Sequence, residues 1–121
     1  MDLSRLSDDA LVANIKALAR QEREVLVKIL HHLREIDRRR LHSKHKCPSL
    51  LEWAMTELKY SEPQALRRIS AMRLMRELPA IEAKISSGEL SLTNIVLAQA
   101  TFSAEKREGR PFAVAEKVQL L

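Results

Sequence analysis

Aromatic residues are nearly absent from this chain. They make up 3% of its 121 positions, and Trp53 and Tyr60 are the only Trp and Tyr. A core must therefore be built from Leu, Ile, Val, Ala and Met, as in helical proteins. Glycine is equally scarce. Gly88 and Gly109 are the only two, too few for the tight turns of a sheet of several strands. The single cysteine, Cys47, excludes an internal disulfide and fits a reducing cytoplasm. No apolar run approaches the roughly 20 residues of a membrane span, and the acidic N-terminus has no signal-peptide pattern. A cytoplasmic protein with no membrane partner is expected. What remains is 45% apolar and 31% charged, the range of one ordinary globular domain.

Acid is missing from one stretch in particular. Arg38-Arg39-Arg40-Leu41-His42-Ser43-Lys44-His45-Lys46 holds five basic side chains and no carboxylate, and five is also the formal net charge of the whole chain. A concentrated cationic spot is a candidate for contact with phosphates or an acidic surface. Cations also favour a helix C-terminus, where the macrodipole is negative, so a solvated helix end is the competing reading.

Ser7-Asp8-Asp9 is a helix start, with a capping hydroxyl and first-turn acids. Leu11, Ile15, Leu18, Val25, Ile29 and Ile36 follow at helical spacing, widened by Leu26, Leu30 and Leu33. Arg20 to Glu24 is all polar, so either one long helix or two helices jointed near Gln21 satisfies the pattern. One continuous helix would be about 50 Å long, more than a small domain covers, which points to a homodimer. After Cys47-Pro48, a short amphipathic helix spans Ser49 to Leu58. Lys59-Tyr60-Ser61 is a turn. Ser61, Pro63 and Gln64 then form a strong N-terminal signature for a helix running to about Leu78. Pro79 opens another that ends at Gly88, and Ser91 opens the next. Ser103 to Arg110 reads as a polar linker before a last helix from Pro111 to Leu121. The end on two leucines suggests a longer parent chain or a partner. The expected division is a helical segment with a basic end over 1–46, a helix-turn-helix-like unit over 47–102, and a linker and C-terminal helix over 103–121.

The two helices flanking Lys59-Tyr60-Ser61 have helix-turn-helix spacing. The second would present Gln64, Arg67 and Arg68 near its N-terminus. Arginine can bind guanine bidentately or hold phosphate, and Gln can bind adenine. Against this, apolar residues from Ala65 to Leu78 encircle that helix, as in a buried helix whose arginines serve structure. His42-x-x-His45-x-Cys47 is no standard zinc spacing, and His31 and His32 read as ordinary helix positions, so no metal is expected. With no nucleophile elbow, phosphate loop or Gly-rich fingerprint, no catalytic residues, cofactor or enzyme activity are expected. Trp53 and Tyr60 read as packing between the two helices rather than as base-stacking groups.

A family resemblance rests on these residues. Ser49-Leu50-Leu51-Glu52-Trp53, Glu57 to Glu62, Ala65 to Leu74, Leu78-Pro79 and Ser87 to Thr93, with the upstream Leu6-Ser7-Asp8 to Leu41, occur in an order that resembles the N-terminal, non-catalytic helical region of a bacterial HNH endonuclease family. The resemblance implies a nucleic-acid-processing context. The nuclease motif of such proteins lies further towards the C-terminus, and this chain has no histidine after His45. Tyr60-Ser61 to Leu92 is also similar, more weakly, to the helix-turn-helix region of ParB-type partition proteins. That similarity implies that the helix opened by Ser61 is the recognition helix. Lys59 stands where such turns often carry glycine, and it would add a phosphate contact. The expectation is an all-α DNA-binding protein that uses Arg38, Arg39, Arg40, Lys44, Lys46, Lys59, Ser61, Gln64, Arg67 and Arg68. The alternative is a helical dimerisation or interaction module that binds no nucleic acid.

Overall fold

The computed structural model describes residues 2–121. Its regular structure is entirely helical among the described residues, with a long N-terminal helix followed by shorter ones. Helix α1 runs unbroken from Asp8 to Arg38. The Ser7 hydroxyl accepts the Ala10 N–H at 3.1 Å, and Asp8 and Asp9 face the positive end of the dipole. The polar interval Arg20–Glu24 does not joint the helix, because it holds only strong helix formers and neither Gly nor Pro. At 31 residues, α1 is about 46 Å long.

The chain then turns through the four-residue α2 (Leu41–Lys44) and reaches α3 (Leu50–Glu57), capped by the Ser49 hydroxyl on Glu52 N–H. Helix α4 (Glu62–Glu77) opens with a complete capping box: Gln64 N–H donates to the Ser61 hydroxyl, and Ser61 N–H donates to the Gln64 side chain. A 3₁₀ turn at Pro79–Ile81 leads into α5 (Glu82–Ser87). Gly88 closes α5 at φ 87°, a conformation that suits glycine alone at low cost. A Cβ there would also meet the Arg23 guanidinium at 3.2 Å. Ser91 caps α6, which runs from Leu92 to Arg107, so residues 103–107, placed in a linker by their polarity, continue the helix. Helix α7 (Val114–Leu120) folds back, with Phe112 edge-on to Phe102 and Lys117 paired with Glu77 at 2.7 Å.

Helix α4 is the centre of the body. Ala65, Ile69, Ala71, Met72, Leu74 and Met75 are buried around its circumference. Leu30 and Leu33 of α1, Trp53 and Ala54 of α3, Ile85 of α5, and Ile95 and Phe102 of α6 pack in the same core. Only the second half of α1 joins this body. Arg23 is its first anchor, donating from Nε to the Ser86 carbonyl at the α5 C-terminus at 3.0 Å. Further on, Asp37 pairs with Arg76 of α4 at 3.1 Å. Among the described residues no helix is long and apolar enough to cross a membrane.

Candidate nucleic-acid interface

The basic run falls where α1 ends, and it divides into two sets of cations. Arg38 and Arg39 lie three and four residues beyond Glu35, so all three share one face of the helix. Arg38 Nε donates to Glu35 at 2.8 Å and Arg39 Nε at 2.9 Å. Those hydrogen bonds, Arg38 first, pull the Glu35 carboxyl from 4.5 down to about 2 and raise Arg38. Arg40, Lys44 and Lys46 are exposed and have no ion-pair partner among the described residues. The free charge of the run is thus three cations gathered around α2.

Among the described residues, three other than glycine have positive φ, and all three are cations: Arg40 at 53°, Lys46 at 61° and Lys59 at 61°. The left-handed region costs an L-residue about 1–2 kcal/mol. Lys59 occupies a turn position that glycine often fills, and its backbone is left-handed there all the same. One contact relates the position of this turn to the run. Trp53 Nε1 donates to His45 Nδ1 at 3.0 Å, tying the end of α2 to the middle of α3. Lys59 lies six residues beyond Trp53, on the order of 10 Å along α3. The end of α2 therefore lies beside α3, and Lys59 follows the C-terminal end of that helix. Glu52 and Glu57 are exposed on α3.

The start of α4 is more occupied than its sequence suggests. The Ser61 hydroxyl and the Gln64 side-chain oxygen are both used in the capping box. Arg68 is half-buried and folded back: its guanidinium lies 4.6 Å from the centre of the Tyr60 ring and donates to the Gln64 carbonyl at 3.1 Å. Its Nε is buried with no hydrogen-bond partner. Arg67, also half-buried, lines an apolar groove with Pro63 and Leu66 of α4 and Val96 and Leu97 of α6. Leu66 and Leu97 are 48% and 62% exposed. The outward surface beside the start of α4 is therefore largely apolar. Arg73, one turn beyond Ser70 on the same helix, is exposed and has no ion-pair partner among the described residues.

His31 and His32 are exposed and make local polar contacts. His32 Nδ1 meets the Lys28 carbonyl at 2.6 Å, and His31 contacts Glu82 of α5. Among the described residues no three of His, Cys, Asp and Glu gather as metal ligands would. Two features of this surface differ from the sequence expectation. The pairing of Glu35 with Arg38 and Arg39 carried a sequence signal, their i,i+3 and i,i+4 spacing. The apolar groove carried none, because α4 and α6 meet only in the folded chain. No protein-family model matches this chain, and no curated protein or solved structure is significantly similar to it.

Proposed function

We propose that this chain binds DNA, with the cations around α2 neutralising phosphates and the turn before α4 approaching the duplex beside them. The observation that carries the reading is the trio Arg40, Lys44 and Lys46, exposed and without ion-pair partners among the described residues. Such cations are free to displace condensed counterions from a phosphate backbone. Lys59 extends the surface past α3. The order α3, turn, α4 supports a helix-turn-helix-like approach, with Arg67 and Arg73 as the side chains on α4 that remain open to a groove. Ser61, Gln64 and Arg68 then serve by holding the turn and the first turn of α4 in shape. The resemblances to the HNH endonuclease family and to ParB-type proteins point the same way. No catalytic step or cofactor is part of this proposal, and its setting is the cytoplasm.

A second reading, a helical interaction module without nucleic-acid binding, is favoured by the apolar groove of Leu66, Val96 and Leu97. Titrating the protein against a labelled duplex by fluorescence anisotropy, at salt concentrations between about 50 and 200 mM, separates the two. Phosphate-driven binding weakens steeply with salt. Failure to bind any duplex even at the lowest salt would leave the interaction module as the function.

A further inference from the structure

The first half of α1 projects from the body with an apolar face that no other helix covers among the described residues. From Asp8 to Glu22 it forms about 22 Å of helix, along which only Ala10, Ala17 and Ala19 are even half-buried. Leu11, Ile15 and Leu18, at steps of four and three, are 43%, 60% and 58% exposed. Leu3, before the helix begins, lines the same apolar groove as Leu11, Ile15 and Leu18 and is itself 46% exposed. Steps of four and three repeat every seven residues, the spacing by which two helices pair along a seam.

Charge decides the orientation of such a pair. Asp2, Arg5, Asp8 and Asp9 leave one end of this arm acidic, whereas Lys16 and Arg20 make the other end basic, with no acid between Asp9 and Glu22. A parallel pair would set like charge against like. An antiparallel pair sets each acidic end beside the partner's basic end, twice over by the two-fold axis. Centring that axis near Ala13 places Leu11 of one copy beside Ile15 of the other. It also brings Asp8 and Asp9 within a turn of Lys16 and Arg20. In this register the two helices overlap from Asp8 to Leu18, so each body, which begins at Arg23, clears its partner. An overlap of about 11 helical residues a side, at the roughly 30–40 Å² per residue of standard interfaces, buries about 330–440 Å² per copy, below the ~800 Å² typical of stable complexes, so the pair is a weak one whose orientation is set by its charges.

We infer that the projecting arm of α1 is a self-association surface that pairs antiparallel with the arm of a second copy of this chain. The inference stands apart from DNA binding and can fail without it. Sedimentation equilibrium of the full chain at high micromolar concentration should give twice its 13.9 kDa mass. The double variant Ile15→Glu, Leu18→Glu should sediment as a monomer with an unchanged helical circular-dichroism spectrum, because both side chains are exposed. Spin labels on Glu24→Cys in a Cys47→Ser background should lie about 33 Å apart along the axis, against about 10 Å in a parallel pair. A wild-type monomer, a dimer that survives the double variant, or a short label distance would each overturn the inference.

Discussion

Replacing Arg40, Lys44 and Lys46 with glutamine should change DNA binding far more than replacing Arg38 and Arg39, although all five belong to one basic run. Each free cation that meets a phosphate contributes about 0.9 to the slope of log Kobs against log salt, so three contribute about 2.7. Over the fourfold change from about 50 to 200 mM salt, that slope weakens binding about 40-fold, a dependence the triple variant should lose. Arg38 and Arg39 are already held by Glu35 at 2.8 and 2.9 Å, so replacing them should flatten the slope by less than about 1. Glu35→Gln should release both arginines and steepen the slope by up to about 1.8. Anisotropy titrations at several salt concentrations, with circular dichroism to confirm folding, read all three variants. If the Arg38, Arg39 variant flattens the slope as much as the triple variant does, the division of the run into paired and free cations is wrong.

Lys59→Gly should stabilise the fold by about 0.5–1 kcal/mol in urea unfolding, because it relieves a left-handed backbone at φ 61°. The same change should weaken DNA binding, and a variant that gains stability without losing affinity removes Lys59 from the interface. Met72→Ala, at a fully buried position on the central helix, should cost about 2–5 kcal/mol, measurable as a lower urea midpoint. The Glu35 carboxyl should titrate near 2 by NMR rather than at its ordinary 4.5. Because its value is depressed, the stability it contributes is present above 4.5 and is lost as pH falls through about 2. In Arg38→Gln, Arg39→Gln protein the midpoint should return towards 4.5.

The sequence by itself determined where most helices begin and end, and the reason is range. Ser7, Ser61 and Ser91 cap through hydrogen bonds that span three residues, and Gly88 stops α5 by its own backbone freedom. The scarcity of glycine and aromatics likewise pointed to an all-helical chain before any contact was known. Tertiary structure alone decided which faces are covered. Leu11, Ile15 and Leu18 lie on the same periodic stripe as Ile29 and Ile36, and Leu30 and Leu33 widen that stripe. Ile29 and Ile36 are half-buried against the core and Leu30 and Leu33 are fully inside it, yet the body reaches back only as far as Arg23. The periodicity of α1 is the same on both sides of Arg23, so no local rule distinguishes the buried half from the projecting one. The pairing of Arg76 with Asp37, 39 residues apart, depends on how the helices pack, and so does the apolar groove between α4 and α6. Burial and long-range pairing are properties of neighbours in space, and a chain specifies those only through the whole of its packing.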